Sequence, residues 1–135
     1  MRILIAEDNS ISGRLMLGLL RPYGDCDLVA DGLLALARAE AALAKQRPYD
    51  LLCLDIMMPG LDGQRVLDRV RAREGELGIL GGRAAKVVMT SALDDAHNIL
   101  GAFRNQADAY LVKPIDERAL AKHLAGFGFA PARAG

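Results

Sequence analysis

Five short apolar runs punctuate the chain, and longer stretches with apolar residues every three or four positions lie between them. The runs are Arg2 to Ala6, Cys26 to Ala30, Leu51 to Asp55, Lys86 to Met89 and Ala107 to Val112. All five read as strands, and the unbroken run from Leu51 into Asp55, closed by Pro59-Gly60, reads as a strand buried on both faces. The intervening stretches read as helices. Ser10 to about Leu20 places Ile11, Leu15, Leu19, Met16 and Leu20 at helical spacing, weakened by Gly13 and Gly18 and ended by Arg21-Pro22-Tyr23-Gly24. Asp31 caps an Ala/Leu helix that runs to about Lys45, and Pro48 stops it. Asp62 caps a third helix with Val66, Leu67 and Val70 on one face. Residues 94–104 form a fourth, with Ala96, Ile99, Leu100 and Phe103 on one side. Asp116 caps the last, where Ile115 and Leu120 stand at hydrophobic-staple positions. Residues 74–83 carry four glycines and read as a loop, and the stretch from Gly126 has no periodicity.

Strand and helix alternate five times. The fold class that follows is α/β, a single doubly wound five-stranded parallel sheet with five helices on its two faces. The flavodoxin-like strand order 2-1-3-4-5 puts the first and third strands side by side at the switch point, where ligands of such sheets bind.

Composition narrows the function classes. The 135 residues suit one domain, assigned to 1–125, with a short tail at 126–135 and no output domain. Seventeen basic residues balance seventeen acidic ones, so no broad field favours nucleic acid or an anionic membrane. No apolar run is long enough to span a bilayer, and the opening run ends in acids, unlike a signal peptide. Cys26 and Cys53 lack paired spacing and read as buried thiols of a cytoplasmic protein. His97 and His123 have no metal-ligand companions, and Arg69, Arg71 and Arg73 read as a solvated helix face.

The chemistry gathers at the strand ends. Asp55 follows four apolar residues and precedes Pro59-Gly60, which puts a carboxylate at the sheet edge with no helix to cap. Glu7-Asp8 follow the neighbouring strand, so three acids converge there. Their mutual repulsion calls for a cation, and an all-oxygen ligand set points to Mg²⁺ (or Mn²⁺). Ser91, after the fourth strand, adds a hydroxyl, and Lys113, at the end of the fifth, adds an ammonium. A metal and a cation around one carboxylate suit phosphoryl transfer onto it.

Glu7-Asp8, Asp55, Ser91-Ala92 and Lys113-Pro114, in this order, resemble the signature of bacterial response-regulator receiver domains over residues 2 to about 125. The resemblance implies that Asp55 is the phosphoacceptor for a histidine kinase or a histidine phosphotransfer protein. It implies that Asp8, Asp55, the Met57 backbone carbonyl and Glu7, through water, surround the metal. Ser91 would swing toward the phosphoryl group, Lys113 would pair with it, and Tyr110 would be the switch aromatic. The Lys113–Pro114 bond would be cis. The helix at 94–104, the fifth strand and the last helix would form the face that changes and contacts a target protein; receivers also often pair through it, giving a possible homodimer. Two features depart from the pattern: Gln106 stands where Gly is usual, with Asn105 available for the left-handed turn, and the 74–83 stretch is long. Asn9 after the acidic pair leans toward a phosphorelay.

Three other readings compete. A haloacid-dehalogenase-type phosphatase needs a second Asp two residues after the nucleophile, where Met57 stands. A flavodoxin-like redox module needs a phosphate-cradling first loop, which Glu7-Asp8 would repel. A pseudo-receiver that binds partners without phosphorylation remains open.

Overall fold

The computed structural model describes residues 1–92 and 107–132. Strands β1 (Arg2–Ala6), β2 (Asp25–Val29), β3 (Leu51–Asp55), β4 (Lys86–Ala92) and β5 (Ala109–Lys113) form one sheet in the order β2-β1-β3-β4-β5. Every pairing is parallel. Four α-helices lie among the described residues: α1 (Ser10–Leu20), α2 (Gly32–Ala44), α3 (Gly63–Glu76) and α4 (Glu117–Gly126). The helix expected at 94–104 lies outside the described residues, as do Gln106, Asn105 and His97.

The two-residue repeat of each strand sorts the core into two layers. Leu4, Ala6, Leu52, Leu54, Val87 and Met89 face α2 and α3. Ile3, Ile5, Leu51, Cys53, Val88 and Leu111 face α1 and α4. β3 is central and buried along its whole length, which explains its unbroken apolar sequence. Carboxylates cap three helices as expected: Asp31 accepts from the Leu34 amide, Asp62 from Arg65 and Asp116 from Arg118. Ile115 and Leu120 pack into the α1/α4 layer.

Long-range pairing moves several boundaries. β2 starts one residue early because the Asp25 amide donates to Met1 O at 2.9 Å. β4 extends through Ala92 because Ser91 and Ala92 pair with Val112 and Lys113. β5 starts at Ala109, since Asp108 turns its carboxylate to the Val87 amide at 2.8 Å.

The largest correction concerns 74–83. Helix α3 runs on to Glu76, and a 3₁₀ turn occupies Gly81–Arg83. Glu74 is 2% exposed; it accepts the Ala85 amide at 2.8 Å and pairs with Arg71 at 2.9 Å. Arg71 also donates to Ala85 O at 2.8 Å and reaches Asp108. It is therefore a tie between α3 and the start of β4, not part of a solvated face. The tail is docked too: the Ala132 amide donates to Pro22 O, and Phe127 and Phe129 pack edge to face.

The two thiols also separate. Cys53 is buried, and burial pushes its pKa far up. Cys26 is half-buried rather than buried, with a smaller upward push from the same cause. A thiol-reactive probe on the native protein at pH 8 is expected to label Cys26 and to reach Cys53 only after denaturation. Equal labelling of both in the native state would contradict this placement.

No helix among the described residues is long and apolar enough to cross a membrane.

Candidate functional site

The site sits where the carboxyl ends of β1, β3, β4 and β5 meet. Beyond β1, the Glu7 amide donates to Val29 O at 3.0 Å, which holds the backbone against β2. Asn9, not Asp8, caps α1: its Oδ1 accepts the Ser12 amide at 2.9 Å. Asp8 is thereby left exposed at the edge with no capping duty. Asp55 ends β3 and is 4% exposed. Its Oδ1 accepts the Met57 amide at 3.2 Å, and its Oδ2 accepts the Lys113 ammonium at 3.0 Å. The same ammonium contacts Glu7 Oε1, while Glu7 Oε2 accepts the Asn9 amide at 3.0 Å.

Glu7, Asp8 and Asp55 each offer a carboxylate oxygen, and these atoms lie within 4.8 Å of one another. Two like charges at that distance repel by about 3 kcal/mol at an effective dielectric of ~20. The proton affinities record this crowding. Burial pushes the Asp55 pKa up to about 7; Lys113 opposes the rise and Glu7 adds to it. Burial also pushes Glu7 up, but Lys113 and the Asn9 amide outweigh it and hold that carboxyl below its ordinary value. Lys113 is raised, because its two carboxylate partners outweigh burial. Lys113 thus bridges both buried carboxylates, and one ammonium between two acids leaves the site able to take up a proton or a second cation.

The donor set fits a hard divalent ion: three oxygens, two from buried carboxylates and one from an exposed carboxylate that would let water complete the shell. Mg²⁺ typically binds in this way, through one or two carboxylates and several waters. Glu7, Asp8 and Asp55 are the residues that could hold it. Met57 lies beside them with its backbone tied to Asp55 and its side chain exposed.

Ser91 lies inside β4 rather than after it. It is 1% exposed, and its hydroxyl has no hydrogen-bond partner among the described residues. A buried hydroxyl without a partner is costly, which sets Ser91 apart from the apolar residues of β4. Tyr110 is half-buried and packs on the α2/α3 layer, where burial raises its phenol pKa. The Lys113–Pro114 bond is cis.

One contributor was missed in the sequence. A Cβ on Gly63 would lie 2.4 Å from Asp55 O, and its amide donates to Ile56 O at 2.9 Å. Only glycine lets α3 start this close to the end of β3. The signal was present as a glycine directly after the cap Asp62, but nothing local says what approaches it.

The chain is similar to known proteins in sequence and in fold. The sequence model of the response regulator receiver domain matches residues 3–125. The transcriptional activator protein IrlR of Burkholderia pseudomallei is 37% identical over 117 residues, 86% of this chain and 45% of that protein. The sensor protein GacS of Pseudomonas syringae is 31% identical over 90% of this chain and 13% of its own length. The chain therefore spans about half or less of these curated relatives. In fold it is similar to the receiver domain of Ssk1 from Saccharomyces cerevisiae, solved with the histidine phosphotransfer protein Ypd1: TM-score 0.77, 24% identity, covering 95% of this chain and 88% of that one. A putative response regulator from Chloroflexus aurantiacus gives TM-score 0.75 at 24% identity, covering 93% and 95%.

Proposed function

Because the chain belongs to the response regulator receiver domain family, we propose that it is a phosphorylation switch whose acceptor is Asp55. The donor is a phosphohistidine on a histidine kinase or a histidine phosphotransfer protein. An Asp55 carboxylate oxygen attacks phosphorus, the P–N bond to the imidazole breaks, and the bonding pair returns to the donor nitrogen. Asp8, Asp55, the Met57 carbonyl and, through water, Glu7 would hold Mg²⁺ (or Mn²⁺), which would supply positive charge against the transferring oxygens. Lys113, already 3.0 Å from Asp55 Oδ2, pairs with the new phosphoryl group. The Ser91 hydroxyl turns to the same group and Tyr110 follows it inward. β5 and α4, with the 94–104 stretch, then present an altered face to a target protein. The catalysis is confined to the chain's own phosphorylation and dephosphorylation. Met57 offers no proton for turnover of external substrates, which disfavours a phosphatase.

The observation that carries this reading is the buried Asp55 carboxylate, ending a central strand, gripped by Lys113 and flanked by two further acids within 4.8 Å. Intact-mass measurement tests it. With a small-molecule phosphodonor and Mg²⁺, the protein is expected to gain one phosphoryl group, mapped by fragmentation to Asp55, and to gain none when the metal is chelated. A wild-type protein that stays unmodified would favour the pseudo-receiver instead.

A further inference from the structure

At the opposite edge of the sheet from Asp55, a cleft of about 390 Å³ opens between the end of α2 and the starts of β1 and β3. Its wall carries Arg2, Arg38, Lys45 and Arg47 around Tyr49, and one acid, Asp27. In a chain of zero net charge this is a marked local excess. None of the four cations makes an ion pair among the described residues. Asp27 is already engaged, accepting the Tyr49 hydroxyl at 2.6 Å.

The cleft is braced. The Arg2 guanidinium lies 4.6 Å over the Tyr49 ring and donates to Arg47 O, while Arg38 faces the Tyr49 hydroxyl. Arg38 lies on α2 and Lys45, its C-cap residue seven positions on, ends up on the same side of the helix axis. Lys45 and Arg47 follow the carboxyl end of α2, where the helix dipole favours cations. That dipole accounts for two of the charges. It does not account for Arg2, which comes from β1, or for Arg38 in mid-helix.

We propose that this cleft binds an oligophosphate chain, as inorganic oligophosphate or as the phosphate tail of a nucleotide. Guanidinium forks match phosphate oxygens two at a time. Exposed cations hold a single charge weakly, so a ligand with several linked phosphates gains most from four of them. The cleft is of small-molecule size. Arg2 already covers the Tyr49 ring, so a nucleobase finds no free aromatic face and adds nothing.

The test is calorimetric titration of the metal-free protein at low salt with sodium tripolyphosphate, ATP and citrate. Tripolyphosphate is expected to saturate with a Kd below about 1 mM, and ATP to bind within about threefold of it. The double variant Arg38→Glu/Lys45→Glu, altered only at exposed positions, is expected to bind at least about tenfold more weakly. Its circular dichroism should match wild type, and Lys45→Glu alone, which leaves the Arg38 contact with Tyr49 in place, is expected to weaken binding at least about threefold with unchanged melting. Arg69→Glu, on the exposed face of α3, is expected to leave binding unchanged. Absence of saturation, equal weakening by Arg69→Glu, citrate binding as tight as tripolyphosphate, or ATP tighter by tenfold would each overturn the assignment.

Discussion

Asp55→Asn is expected to abolish phosphoryl incorporation and, in metal-free buffer at pH 8, to make the protein more stable. Asn cannot attack phosphorus, so the first effect is complete. The second follows from linkage. Asp55 has a folded pKa of about 7 against an ordinary 3.8. The folded state therefore holds this proton more tightly than the unfolded chain. The stability this contributes is full below about pH 4 and is lost as pH rises through about 7. A difference of that size corresponds to at most about 4 kcal/mol. Lys113 keeps an oxygen partner on the amide, and Glu7 retains its ion pair, so the net gain for Asn is about 1–3 kcal/mol. Urea denaturation at pH 5 and pH 8 checks the sign: the variant's advantage should grow between them. Adding Mg²⁺ should shrink it at pH 8, because an ion bound only by folded wild type restores stability by mass action. A pH-independent difference, or wild type the more stable at pH 8 under chelation, would refute the electrostatic account of the site.

Glu74→Ala is expected to cost about 2–4 kcal/mol. The carboxylate is 2% exposed and accepts the buried Ala85 amide at 2.8 Å while neutralising Arg71. Its removal orphans that amide and takes from Arg71 its 2.9 Å carboxylate partner, leaving the longer contact to Asp108 at 3.4 Å. Glu74→Gln keeps an acceptor and should cost about half as much. The network closes α3 onto the start of β4, four positions before Thr90, the partner of Asp55 in the sheet. Phosphorylation of the folded variant should therefore proceed at the wild-type rate. A denaturation curve shifted by less than about 0.5 kcal/mol, or a slowed phosphorylation in fully folded protein, would show that the tie has another role. A double-mutant cycle with Arg71→Ala should give a coupling of about 1–3 kcal/mol.

Where the sequence reading succeeded, the signal was local and repetitive. The unbroken run before Asp55 marks a strand covered on both faces, because only such a strand has no polar side to show. Asp31, Asp62 and Asp116 announce helix starts because a cap bonds an amide two or three residues ahead. Where it fell short, the partner was distant. Gly75 and its neighbours made 74–83 look like loop, since glycine spacing reports backbone freedom and not the Ala85 amide that Glu74 grips from eleven residues away. Arg71 looked solvated for the same reason. Ser91 looked like a residue beyond the strand because its pairing with Val112 is invisible in the run that contains it.

Alternating strand and helix pointed to a parallel doubly wound sheet, and the flavodoxin-like order, one of the few such topologies, placed the acids, hydroxyl and lysine at one edge. Both depend on short-range periodicity and on the handedness of crossovers, which a linear pattern carries. The proton affinity of Asp55, the bridging of Glu7 and Asp55 by Lys113, the use of Asn9 in place of Asp8 as cap, and the cationic cleft at the far edge were decided only in three dimensions. Burial and Coulomb energy depend on distances between side chains whose separation along the polymer says nothing about their separation in space.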